Sequence, residues 1–158
     1  MKHIKLFEAF KKKKGKDRGD IHTLSGIALI VEGKLLLVLA KKYLGQDNKW
    51  SLPKGHIEGD SLDSALKELE EETGIHLDKN YDEMLDVEYL KGGSIKLMDI
   101  YVYHRSLDDV KDYLSVDDKW MVDPSHYDSG EVIKAKFYSL DKCRTKLDIG
   151  MVNILEEI

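Results

Sequence analysis

From Gly26 onward the chain carries two apolar runs, Ile27 to Val31 and Leu35 to Ala40, separated by Glu32-Gly33-Lys34. Their length and the intervening glycine predict a β-hairpin, and near-continuous apolarity predicts strands buried on both faces. A polar loop from Gly45 to Lys49 leads into Trp50-Ser-Leu-Pro53. That stretch reads as extended chain, because Pro53 restrains the residue before it and has no N–H to give a ladder. The chain then turns through Lys54 to Asp60. Beyond it the period becomes helical: Leu62, Ala65, Leu66 and Leu69 recur at i, i+3, i+4 and i+7, a core-facing stripe. Asp60 or Ser61 can cap this helix, and Thr73-Gly74 supplies a left-handed stop after about Glu72. Met84 to Leu90 and Ile95 to His104 read as strands around Lys91-Gly92-Gly93. Ser106 to Val116 reads as a short helix, Asp117 to Gly130 as loop, Val132 to Leu140 as a strand, and Met151, Ile154, Leu155 and Ile158 as a terminal helix.

Strands and helices mixed along 158 residues, 42% of them hydrophobic, predict one α/β domain with a single core. The single cysteine, Cys143, has no partner for a disulfide or a metal site. No apolar run approaches a membrane span and no signal peptide is visible, so a soluble, cytoplasmic protein is expected. Charge is distributed unevenly. Residues 1–20 hold eight Lys/Arg against three Asp/Glu, and residues 21–158 hold 17 against 27. A basic, flexible extension that can attract RNA or another polyanion is therefore expected ahead of an acidic domain.

The densest charge is "KELEEETG", Lys67 to Gly74. At about 100° per residue, Glu68, Glu71 and Glu72 fall within one arc of the helix, beside the leucine stripe, while Glu70 and Lys67 point away. Like charges at these spacings repel by a few tenths of a kcal/mol per pair. A hard divalent cation is the natural compensation, Mg²⁺ above all, since it favours a few carboxylates together with waters and phosphate oxygens.

Within "LPKGHIEGDSLDSALKELEEETGI", Leu52 to Ile75, the chain resembles the Nudix hydrolase family. Gly55 matches the first glycine of the family box, and Glu68, Leu69, Glu71, Glu72, Gly74 and Ile75 match its second half. Asp60 fills the place of the first Glu and Lys67 that of the Arg, and the intervals on either side of Asp60 are one residue short, four and six residues. A lysine and a shorter acid cannot form the bidentate fork of arginine with carboxylate. The hairpin, "WSLPKG" and "EVIKAKFYSLD" also resemble the family's usual surroundings.

The resemblance implies an α/β/α sandwich around a mixed sheet over residues 21–158. It implies hydrolysis of a nucleoside diphosphate linked to another group, with Mg²⁺ or Mn²⁺ as cofactor. Glu68, Glu71, Glu72 and the Gly55 carbonyl are the implied metal ligands, with Glu68 or Glu131 as general base. Lys54 and His56 flank Gly55 and are expected to contact phosphate, "PKGH" resembling the entry of dinucleoside polyphosphate hydrolases. Lys41 and Lys42 are candidates too, since alternation turns one of them toward the cleft. Trp50, Tyr43, Tyr101 and Tyr103 are the rings available to stack a base, the last two sharing one strand face. Dinucleoside polyphosphates or nucleoside triphosphates are the expected substrates. The alternatives are an RNA 5′ end held by the basic tail, and a noncatalytic nucleotide sensor, to which the shortened box points.

Overall fold

The computed structural model describes residues 22–158 apart from Gly92, so the basic segment 1–20 and its expected partners lie outside the described residues. The hairpin forms as strands β1 (His22–Val31) and β2 (Lys34–Ala40). Its turn is the pair Glu32-Gly33, both with positive φ, the geometry that matches the twist of the flanking strands. Residues 27–31 and 35–39 are all buried, as expected for strands covered on both faces.

Residues 54–56, expected to turn, form a short strand, β3 (Lys54–His56), antiparallel to β1 through Leu24↔His56 and Gly26↔Lys54. Helix α1 (Ser61–Thr73) follows; Asp60 caps it by accepting from the Asp63 N–H at 2.9 Å, and Gly74 ends it at φ +82°. β4 (Glu83–Lys91) and β5 (Ser94–Arg105) pair antiparallel, and β5 lies parallel to β1. The sheet is therefore mixed, in the order β4-β5-β1-β2-β6, with β3 alongside β1. β6 (Val132–Ser139) runs antiparallel to β2.

The expected helix at 106–116 is shorter. Ser106 and Asp109 form a capping box for α2 (Leu107–Val110), a 3₁₀ turn occupies Lys111–Tyr113, and Leu114 is extended and bridges to Val122. Val116 is 99% exposed, so the chain there has no apolar face to sustain another turn. The last strand stops at Ser139, which caps an unexpected helix, α3 (Leu140–Lys146). The expected terminal helix is a 3₁₀ helix, Ile149–Glu156, capped by Asp148.

Two apolar layers sandwich the sheet. Ala65 and Leu69 of α1 pack on Ile27, Leu29, Leu36, Val38 and Phe137. On the other side Cys143, Leu147, Met151 and Ile154 pack on Leu35, Leu37, Met98 and Ile100. Each fully buried Leu contributes about 1.5–3 kcal/mol relative to exposure, which holds α1 rigidly against the strands. Among the described residues no helix is long and apolar enough to cross a membrane.

Candidate active site

Packing Ala65 and Leu69 downward turns Glu68 and Glu72 toward β3. The Lys54 N–H donates to Glu72 Oε1 at 3.1 Å. Glu68 lies over Gly55 so closely that a Cβ at that position would overlap its Cγ, Cδ and Oε1. Gly55 thus lets the Glu68 carboxylate rest directly on the β3 backbone, a position any larger residue would displace.

The electrostatics of this group follow from burial without enough compensating charge. Burial, with the Glu68 charge behind it, pushes Glu72 up to about 8, against the pull of the Lys54 amide and ammonium. Glu68 is raised too, by burial first and then by Glu71, Glu131 and Glu58. Burial lowers Lys54, and Glu72 only partly restores it. Glu131, at the foot of β6, is thus close enough to raise both Glu68 and Glu72. Glu58 is the acid that sequence reasoning missed. It sits between β3 and α1, exchanges hydrogen bonds with Ser64 at 2.9 and 3.1 Å, and shares a recess with His56, Lys67 and Glu68. Its only signal in the sequence is an acid placed just ahead of the helix cap.

A strap joins the loop bearing Glu131 to α1. The Glu71 carbonyl accepts from the Asp128 and Ser129 N–H groups at 2.9 and 2.7 Å, and Ser129 Oγ accepts the Glu131 N–H at 3.0 Å. The Tyr127 hydroxyl donates to the Val122 carbonyl at 3.0 Å and accepts from the Ala135 N–H at 2.7 Å, tying the strap to β6. Gly74 completes the joint: a side chain there would run into the His126 carbonyl.

The remaining candidates divide in two. Lys41 and Lys42, in a 3₁₀ turn after β2, line a cleft of about 440 Å³ with Ala40, Gly130 and Glu131. Tyr43 is half-buried beside it, with Lys42 Nζ 5.1 Å from its ring centre. Trp50, Tyr101 and Tyr103 are not brought to this cleft. Trp50 is 3% exposed and meets Tyr138 edge-on, Tyr101 packs against Tyr81, and Tyr103 is wholly buried with its hydroxyl bonded to the Asp78 carbonyl. Core packing leaves them no free ring face, so the expectation that they stack a base does not fit their surroundings. Asp60 serves as the α1 cap. Lys67, expected to point away from the acids, has its Nζ 3.9 Å from Glu71 Oε1, an exposed i,i+4 contact. Glu70 does point away, toward His76 at 3.2 Å.

The donors are all oxygen, which suits a hard divalent cation, and buried acids raised by one another are what such a charge would relieve. On donor chemistry and the Gly55 cradle the residues fit one. Among the described residues, no three acids or imidazoles already stand as a closed coordination set.

Comparison with known proteins agrees with this fold. A NUDIX hydrolase from Nitrosomonas europaea superposes with a TM-score of 0.62 at 19% identity, covering 86% of each chain. A C. elegans Ap4A hydrolase in a binary complex gives 0.59 at 20% identity, covering 85% of this chain and 92% of that one. The NUDIX domain of Shewanella oneidensis NrtR, complexed with ADP ribose, gives 0.63 at 17% identity, over 86% and 84%. A search of curated proteins by sequence returns no match. The NUDIX domain model matches residues 22–158, nearly the whole described chain, and the chain belongs to the NUDIX family of pyrophosphohydrolases.

Proposed function

We propose that this protein hydrolyses a pyrophosphate bond in a nucleoside diphosphate-linked substrate, most consistently a dinucleoside polyphosphate or a nucleoside triphosphate. The observation that carries this reading is the convergence of Glu68, Glu72 and Glu131 beside a cleft whose rim bears Lys41 and Lys42. Mg²⁺ or Mn²⁺ would be held by Glu68, Glu71, Glu72 and the Gly55 carbonyl, and would supply neutralisation of phosphate charge and acidification of water. The chain's own groups do the rest. Lys41 and Lys42 attract and orient the polyphosphate, with Lys54 and His56 approaching it from β3. Glu131, exposed and held by the strap, accepts the proton of the attacking water as general base, and Glu68 is the second candidate for that role. Tyr43 is the ring near the cleft that a base can meet.

The C. elegans Ap4A hydrolase among the similar folds supports the dinucleoside polyphosphate reading. A nucleotide sensor that does not cleave is the second reading, favoured by the shortened box and by the resemblance to the ADP ribose-bound NrtR domain. The test is release of phosphate or nucleotide from diadenosine polyphosphates, nucleoside triphosphates, nucleotide sugars and 5′-triphosphorylated RNA, each with and without Mg²⁺ or Mn²⁺. Metal-dependent cleavage of one class establishes the enzyme and its substrate. Tight nucleotide binding with no cleavage establishes the sensor. In the first case Glu131→Gln should lower kcat by about 10²-fold, and an unchanged kcat would transfer the base role to Glu68.

A further inference from the structure

The proposed mechanism leaves unused a run of cations and rings at the far end of the same two strands. β2 and β6 pair from Ala40↔Val132 at the catalytic cleft to Lys34↔Ser139 at the other end, roughly 23 Å away at ~3.3 Å per residue. There a second cleft, of about 290 Å³, is lined by Lys34, Lys136 and Lys142, by Trp120 and Tyr138, and by one acid, Asp118. Lys34 Nζ lies 4.3 Å and Lys119 Nζ 5.3 Å from the Trp120 ring centre. Tyr138 is flanked in the same way by Lys136 at 5.8 Å and Lys146 at 5.3 Å.

Lys134, Lys136 and Tyr138 occupy alternate positions of β6 on the side of the sheet away from α1. Trp120 packs on Phe137 and Lys34 pairs with Ser139 on the α1 side, so the cleft wraps around the end of this edge. Lys134 is exposed, and the cations therefore continue along the strand toward Glu131. Asp118 pairs with Lys136 at 2.6 Å and Asp47 with Lys146 at 2.5 Å. Lys34, Lys119 and Lys142 have no carboxylate at ion-pair distance among the described residues. In a region with 17 basic against 27 acidic residues, this edge is the local inversion.

The backbone of the edge is already occupied. The Phe137 N–H donates to the Trp120 carbonyl at 2.8 Å and the Val122 N–H to the Ala135 carbonyl at 2.9 Å. An added peptide strand therefore has no ladder to join at 135–137, and a ligand must be recognised by side chains. Cations and flat rings on both lips of one cleft, continued by Lys134 along the strand, match a polymer of repeating anions and flat bases.

We propose that this edge is a track for single-stranded nucleic acid, running from Trp120 along β6 toward the cleft at Glu131. The assignment rests on the placement of charge and rings, and is independent of the pyrophosphatase reading. The test is fluorescence anisotropy of the full chain with labelled single strands of about ten nucleotides, within the ~4–16 that single-strand folds cover. RNA and DNA are compared, both with 5′-hydroxyl ends so that no cleavable pyrophosphate is present.

Binding is expected to weaken with a log–log salt slope near −2, about −0.7 for each of the three unpaired lysines. Lys34→Ser with Lys142→Ser should raise Kd about tenfold or more, and Trp120→Leu, which keeps an apolar contact on Phe137, should do so by about the same factor. The difference between RNA and DNA would identify the preferred sugar. Absence of binding at low salt would overturn the track. So would equal affinity for duplex, or binding that survives the β6-edge variants and is lost only when Lys11 to Lys14 are replaced by Gln.

Discussion

The two faces of one sheet are packed by different rules. On the side covered by α3 and the C-terminal 3₁₀ helix, the strands present Leu24, Ala28, Ile30, Leu35, Leu37, Val87, Met98, Ile100 and Val102, an almost purely aliphatic layer. On the side covered by α1, the same strands bury Tyr101 and Tyr103, Asp99 accepts from the Ser61 hydroxyl at 2.7 Å, and α1 itself carries buried Ser64 and Thr73 beside Glu68 and Glu72. The aliphatic face supplies stability without chemistry. The α1 face holds acids where their ionised forms are disfavoured, a local instability that the opposite face must offset.

The largest effect should come from Glu72→Gln, with turnover falling by about 10³-fold. The same substitution should raise the metal-free Tm near pH 8, because Gln removes a charge that the fold resists. Activity assays and thermal melts in chelator check the two halves, and a lowered Tm would mean that Glu72 stabilises the fold instead. Leu37→Ala, the mirror experiment on the aliphatic face, should cost about 2–5 kcal/mol of stability. Denaturant unfolding checks that loss, while kcat per folded molecule should stay unchanged.

A pH series sharpens the contrast further. Glu72 is raised to about 8, so the folded chain holds this proton more tightly than the unfolded chain does. The stability that Glu72 contributes without metal is therefore fully present below the ordinary carboxylate range and is lost as pH rises through about 8. Cation binding requires the ionised form, so Mg²⁺ or Mn²⁺ should displace a proton below pH 8. Calorimetry in buffers of different ionisation enthalpy measures that release, and its absence at pH 7 would separate Glu72 from the metal. The smallest effect is expected from Tyr127→Phe, about 1 kcal/mol of stability for the lost hydroxyl bonds. If the strap positions Glu131, kcat should fall in that variant with KM unchanged.

The hairpin and α1 were legible because their signals are local: turn residues with positive φ, an aspartate cap, a leucine stripe and a glycine stop. β3 was not, since three residues become a strand only through pairing with β1. Trp50 was misjudged for the same reason. Its N–H donates to the Lys146 carbonyl and its carbonyl accepts from Asp148, residues nearly a hundred positions away that bury the ring. α3 follows its strand without a break and buries only Cys143, too faint a period to read. Glu68, Glu71 and Glu72 could be singled out from one helix, whereas the proximity of Glu58 and Glu131 to Glu68 depends on how three segments meet.

Glu71 stands close enough to Glu68 for its charge to raise that acid, and its carbonyl holds the Glu131 loop. One inserted or deleted residue within Ser61–Thr73 would swing the later carboxylates by about 100° and unlatch the loop in the same stroke. In the turn before this helix, Glu58 and Asp60 brace its start, but Gly59 between them is exposed with open space around it. Changes of length among relatives should therefore collect before the helix, as the shortened interval between Gly55 and Asp60 does here, ahead of the turns that carry Glu68, Glu71 and Glu72.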